Sequence, residues 1–266
     1  MAPITASNYR YANFRLQHML ADLRFDPESP GPGDRLVHLD LETVDGEHIG
    51  LGELDRPHLF VFGSMTCPMT ASAGAPLGRL HRRFGDAIRI VLVNVREAHP
   101  GELLPQPSTV EDKLANARRL QRSVDADITI AVDDLDGTFH TSLDPKPNAA
   151  YLVAADGTIL FRSLWASDED GLAAAMASVT RGDIPRRTES RRMMAPMVGS
   201  IGYVDGVLRN AGRDAVRDVA RGVPPMLIGA RLASLFRWLP PARRGLALLG
   251  TAGVLVAVVL VIAAIR

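Results

Sequence analysis

The chain has 266 residues, 47% hydrophobic and 23% charged, enough for one well-cored domain of typical size plus further segments. A single cysteine rules out an intramolecular disulfide and with it a disulfide-stapled secreted domain. The 30 Lys and Arg balance the 30 Asp and Glu, but unevenly: residues 1–180 carry 16 basic against 25 acidic side chains, and residues 181–245 carry 13 Arg against 5 acidic ones.

A basic stretch beside an apolar run suits an anionic membrane surface. No basic patch is interleaved with aromatics for base stacking, so nucleic acid is not an expected partner. The opening MAPITASNYRYANF has no apolar signal-peptide core, so no cleaved leader is expected.

Residues 1–30 read as an N-terminal arm. Tyr11, Phe14, Leu16, Met19, Leu20 and Leu23 line one helical face, and Pro27, Pro30 and Pro32 end it. Residues 34–54 alternate and turn at Asp45–Gly46, which predicts a β-hairpin. A β/α alternation follows. His58–Phe62 predicts a short strand, and Pro68 to about Phe84 a helix, with Pro favourable in its first turn and a kink expected at Pro76. Ile88–Val95 predicts a buried strand. Ser108 to Glu111 matches a capping box ahead of the apolar stripe Val110, Leu114, Ala117, Leu120 and Val124. Ile128–Val132, Ala150–Ala154 and Thr158–Phe161 predict strands, the last two joined by the turn Asp156–Gly157. A closing helix starts near Ser167–Asp170 and runs to about Val179. The order β-α-β-α-β-β-β-α over residues 31–180 fits an α/β, thioredoxin-like fold: a central mixed sheet flanked by helices. Residues 181–245 read as an Arg-rich region with amphipathic helices near 200–221 and 225–238.

The stretch Gly63-Ser64-Met65-Thr66-Cys67-Pro68 places a cysteine between a strand end and a helix start. Backbone N–H groups and the helix dipole there favour a thiolate, which predicts a lowered thiol pKa. Ser64 and Thr66 stand ready to donate hydrogen bonds to the sulfur or to a substrate atom. The competing reading is a buried cysteine acting as a small hydrophobe.

These residues resemble the iodothyronine deiodinase family within the wider thioredoxin-like/peroxiredoxin (redoxin) group. Gly63–Pro68 is similar to a Gly-Ser-Cys-Thr-selenocysteine-Pro pattern. Glu97-Ala98-His99-Pro100 matches that family's Glu-Ala-His-Pro, and Pro105-Gln106 with Ser108–Leu120 resembles its Pro-Gln-His stretch and following helix. The resemblance spans about residues 55–165. It implies a reactive chalcogen at Cys67, with Glu97 and His99 beside it as proton-handling groups. The alternative for Glu97–Pro100 is a loop that only shapes the strand end. Pro147 is a candidate for the cis-proline that faces the thiol in thioredoxin-like proteins. Cys67 stands in place of selenocysteine, Met65 in place of a cysteine able to resolve an oxidised intermediate, and Pro107 in place of a substrate-binding histidine. Iodothyronine specificity is therefore not implied.

Asp133, Asp134 and Asp136 before Gly137 look like a cation loop, but no glutamate closes the ligand set, so a solvated turn is expected, with His140 at the surface. No metal or cofactor site is expected.

Leu246–Ile265 is an uncharged run long enough to span a bilayer. Arg243 and Arg244 precede it and Arg266 follows, which predicts a single-pass C-terminal transmembrane anchor with the redox domain facing the cytoplasm. Gly253 and Ala257 are small residues four apart, a spacing that suits helix pairing in a homodimer. The expected activity is a single-cysteine thiol oxidoreductase at a membrane, using an external thiol as reductant. The alternative is a non-catalytic redoxin-fold module that docks a partner.

Overall fold

The computed structural model describes residues 9–124 and 127–265. The first eight residues of the expected arm, and Arg266, lie outside the described residues.

A short helix α1 (Leu16–Asp22) opens the described chain. The hairpin β1 (Asp40–Thr43) and β2 (His48–Gly50) follows, turning at Gly46, whose φ of +84° favours glycine. Then come β3 (His58–Gly63), α2 (Pro68–Phe84), β4 (Arg89–Asn94), α3 (Val110–Ser123) and β5 (Thr129–Val132). After α4 (Thr138–Ser142), β6 (Ala150–Val153) and β7 (Ile159–Ser163) form the second hairpin, and α5 (Glu169–Thr180) closes the unit. A two-residue strand, β8 (Glu189–Ser190), precedes four helices: α6 (Met194–Ala211), α7 (Arg213–Gly222), α8 (Pro224–Ala233) and α9 (Pro241–Ile265).

The strands form one mixed sheet in the order β2-β1-β5-β4-β3-β6-β7-β8. β3 pairs parallel with β4 and antiparallel with β6, so the strand that ends at the cysteine loop lies inside the sheet. This parallel β3-β4-β5 unit with an antiparallel β6-β7 edge is the thioredoxin-like arrangement. Because side chains alternate along a strand, β3 and β4 feed both layers. Leu59, Val61, Ile90 and Leu92 pack under α2, α3 and α5 with Leu77, Leu120 and Met176. Phe60, Phe62, Val91 and Val93 pack on the opposite face with Phe139 and Tyr151.

Local chemistry sets the boundaries. The cap of α3 falls one residue later than the sequence suggests: Thr109 Oγ1 accepts from Asp112 N at 3.2 Å while Asp112 Oδ2 accepts from Thr109 N at 3.2 Å. Asp133 is buried rather than part of a solvated turn, because its carboxylate caps α4 through Phe139 N and His140 N. His140 is fully buried and not at the surface: Tyr9 Oη donates to its Nδ1 at 2.9 Å, and its Nε2 donates to Lys146 O.

The C-terminal helices form a third core with the arm. Phe14, Leu104, Val204, Leu208, Val219 and Leu227 are buried together, and α6 lies along α2, with α8 and α9 against α6. Two glycines permit the α6–α9 crossing. A Cβ on Gly202 would stand 2.0 Å from Pro241 O, and one on Gly245 would stand 2.0 Å from Val198 O.

This crossing bears on the expected membrane anchor. Among the described residues no helix is long and apolar enough to cross a membrane. That overturns the transmembrane part of the expected fold class and the single-pass localisation drawn from it. The physical reason lies at the start of the apolar run: α9 begins at Pro241, packs through Gly245 onto α6, and turns Leu249 toward the thiol cavity described below.

Candidate active site

Cys67 is the N-cap residue of α2, with Pro68 in the first turn, at the end of β3. The loop leading to it is fixed by the segment after β4. Glu97 Oε2 accepts from Thr66 N at 3.0 Å and from Thr66 Oγ1 at 2.7 Å, and Glu97 Oε1 accepts from Asn116 Nδ2 at 3.1 Å. His99 N donates to Thr66 Oγ1 at 3.0 Å, and Ala98 N donates to Ser64 Oγ at 3.2 Å. Gln106 clamps the same segment, accepting from Glu97 N and donating to Glu97 O, both at 2.9 Å. Sequence blocks far apart in the chain thus meet around one loop.

The Thr66 hydroxyl is committed to this clamp as donor and acceptor, and Ser64 Oγ accepts from it, so both side chains orient the loop. The first turn of α2, through Met69 and Thr70, favours the thiolate, as a helix start does, but the Cys67 side chain makes no capping hydrogen bond there. Burial outweighs this: Cys67 is 2% exposed, and its thiol is pushed up to about 11. The expected lowering of its pKa is therefore reversed, because desolvation of the thiolate exceeds the stabilisation that the helix start offers.

The neighbouring titratable groups are displaced by burial as well. The Glu97 carboxyl is raised to about 7 despite the hydrogen bonds from Thr66 and Asn116. His99 is lowered to about 3 by burial, with a smaller push from His18, so it is neutral at ordinary pH. Its Nδ1 is buried without a partner, and its ring packs against Phe14 at 4.2 Å between centroids.

Pro147 lies in the wall of the same cavity as Cys67. Among the described residues there is no cis peptide bond, so the expected cis-proline is not formed. Its neighbour Asn148 performs a tethering task instead: Nδ2 donates to Phe62 O at 3.2 Å and Thr70 Oγ1 at 3.4 Å, while Oδ1 accepts from Ala166 N at 3.2 Å.

A cavity of about 490 Å³ opens over the sulfur. Cys67, His99, Pro147, Asp22 and Trp165 line it, and α6, α8 and Leu249 of α9 close it over. Asp22 and Trp165 carried no signal in the sequence, apart from Asp22 being a lone acid within the apolar stretch Met19–Leu23. Burial raises the Asp22 carboxyl to about 7. The two cations facing it are committed elsewhere, Arg96 to Tyr9 O and Pro145 O and Lys146 to Asp144. Trp165 Nε1 is buried without a partner. The arm that carries Asp22 is strapped down by Arg96, which stacks on Tyr9 and Tyr11, and by Tyr11 Oη donating to Ala98 O at 2.8 Å.

No family model matches the chain, and no curated protein does. Solved structures are similar to it. A disulfide oxidoreductase secreted by Mycobacterium tuberculosis, homologous to E. coli DsbE, is 17% identical; the match covers 52% of this chain and 94% of that one at a TM-score of 0.41. Peroxidoxin BcpB from Mycobacterium tuberculosis is 14% identical over 57% of this chain and 97% of its own, at 0.39. A putative protein disulfide isomerase from Bacteroides thetaiotaomicron is 12% identical over 60% and 95%, at 0.43. Likenesses at this level carry no argument about function, which has to be drawn from the site.

Proposed function

We propose that the chain is a single-cysteine thiol oxidoreductase in which Cys67 reduces an organic hydroperoxide and an external thiol restores it. The observation that carries this reading is the placement of Cys67 in the wall of the apolar cavity beside His99, Asp22 and Trp165. Burial argues for a small-molecule electrophile, since a disulfide on another protein's surface does not reach a sulfur 2% exposed. The convergence of Gly63–Pro68, Glu97–Pro100 and Gln106 on one loop supports a deiodinase-like plan for the site. Met65 and Pro107 weigh against dehalogenation itself.

In the first step the sulfur attacks the distal peroxide oxygen. An S–O bond forms, the O–O bond breaks, and sulfur is oxidised to a sulfenic acid while the peroxide leaves as an alcohol carrying the thiol proton. One external thiol then displaces water to give a mixed disulfide, and a second releases Cys67 and leaves as a disulfide. With the thiol near 11, attack requires a group to take its proton. The Asp22 carboxyl, near 7, has a proton affinity matched to that task at neutral pH. Neutral His99 is suited to hold the peroxide through Nδ1.

The burial of Cys67 and its raised pKa favour a second reading, the non-catalytic module. Steady-state consumption of hydroperoxide with a thiol donor separates the two. The parent should turn over and Cys67→Ser should not; equal background rates would leave the module.

A further inference from the structure

We infer that the cavity over Cys67 takes a neutral, elongated apolar molecule whose oxygen-bearing end sits between Trp165 Nε1 and His99 Nδ1. This deepens the proposed thiol chemistry and rests on it for the electrophile: the hydroperoxide would be that of a long hydrocarbon chain.

Three observations lead there. The first is the wall. Five methionines, Met19, Met69, Met194, Met197 and Met226, line the cavity and come from α1, α2, α6 and α8. Unbranched, polarisable thioethers adapt to an irregular apolar guest. Water in such a space lacks the two to four partners it needs. At about 490 Å³ the cavity falls in the usual range of small-molecule sites, far more than hydrogen peroxide requires.

The second is the set of unpartnered polar atoms. Trp165 Nε1 and His99 Nδ1 are both buried without a hydrogen bond, on side chains less than one-tenth exposed. Each belongs to a residue tied to the cysteine loop by one bridging side chain. His99 N reaches Thr66 Oγ1, and Trp165 precedes Ala166, which Asn148 links to Thr70. Leaving such atoms unpaired costs roughly 1–3 kcal/mol each, so an oxygen that pairs with both gains accordingly. Ser200, the remaining hydroxyl in the wall, already donates to Met197 O at 2.8 Å.

The third is charge. Asp22 shares the cavity, and its neighbouring cations are engaged elsewhere. An ionised Asp22 repels a carboxylate head and leaves a neutral one unaffected.

Gly229 supplies the test. It lines the cavity, and a Cβ built on it meets nothing within 4 Å, so Gly229→Phe grows into the empty space. The experiment uses the full chain with Cys67→Ser, which removes the chemistry, and Trp238→Phe, which removes the exposed second tryptophan. Dodecanol should change Trp165 emission saturably, tert-butanol should not, and dodecanoate at pH 8 should bind more weakly than dodecanol. Gly229→Phe should weaken dodecanol by at least about tenfold, with circular dichroism confirming that it folds. Equal response to dodecanol and tert-butanol, or unchanged dodecanol affinity in Gly229→Phe, would overturn the inference. The two readings fail separately. Hydroperoxide turnover without dodecanol binding refutes the long-chain ligand alone, and dodecanol binding without turnover supports it while refuting the thiol enzyme.

Discussion

Glu97 and Thr66 are joined twice: Glu97 Oε2 accepts the Thr66 amide at 3.0 Å and the Thr66 hydroxyl at 2.7 Å, one residue before the thiol. The pair sits out of water, with both residues fully buried. Glu97→Ala should strand the Thr66 amide and the Asn116 side chain and destabilise the chain by about 2–3 kcal/mol. The pH dependence has a definite sign. The folded chain holds this proton up to about 7, whereas the unfolded chain releases it near 4.5. Between these values the folded state binds more protons, so stability falls as pH rises and levels off above about 7. Urea unfolding of parent and Glu97→Gln at pH 5 and 7.5 should show the parent losing more on the way up. The same change in both chains would mean that Glu97 ionises normally.

His99 contributes with the opposite sign. Its folded pKa lies near 3 against 6.5 unfolded, so between these values the unfolded chain binds more protons. Stability from this group is present above 6.5 and is lost progressively as pH falls toward 3. His99→Gln should lose less stability than the parent between pH 6.5 and 4. A parent and variant with parallel curves over that interval would contradict the burial of the neutral ring.

Asp22 is assigned the thiol proton. Asp22→Asn keeps the shape and removes the base, so the rate of Cys67 oxidation by hydroperoxide at pH 8 should fall by about 10²-fold, while the unfolding midpoint at that pH should rise because a buried charge is removed. In the parent that rate should rise with pH as Asp22 ionises near 7. An Asp22→Asn chain that reacts as fast as the parent, with the same pH profile, would remove Asp22 from the mechanism.

Access to Cys67 depends on the helical cover. Gly202→Ala forces a Cβ to within 2.0 Å of Pro241 O, a backbone atom that cannot move without shifting α9. The substitution should cost about 1–3 kcal/mol and speed alkylation of Cys67 in the folded chain. Gly253→Ala, where an added Cβ meets nothing within 4 Å, is the control and should change neither.

The inner strands β3, β4, β5 and β6 were legible because they are continuous apolar runs bounded by turn residues, whereas the polar edge strand β8, Glu189–Ser190, carried no such pattern. The hairpin turns at Gly46 and Gly157, both at positive φ, announced themselves as Asp-Gly pairs. The position of Cys67 between β3 and α2 was equally readable. Its ionisation was not, because the sequence shows the helix start but not the cover that α6 and α8 place over the sulfur. The Arg-rich stretch looks like membrane-facing material by composition, yet its Leu208, Val219 and Leu227 pack with Phe14 as a core. That pairing joins residues some 200 positions apart in the chain, and no local pattern encodes it. Trp165 and Asp22 reach the site for the same reason.

If Cys67 meets a hydroperoxide inside the cavity, its sulfur becomes a sulfenic acid. Intact-mass analysis after one equivalent of dodecyl hydroperoxide, with dimedone as the sulfenic acid trap and no thiol present, tests it directly. One dimedone adduct per chain should form, mapped to Cys67, faster than with hydrogen peroxide and absent in Cys67→Ser. An unmodified Cys67 in a folded chain, with the peroxide unconsumed, would contradict it.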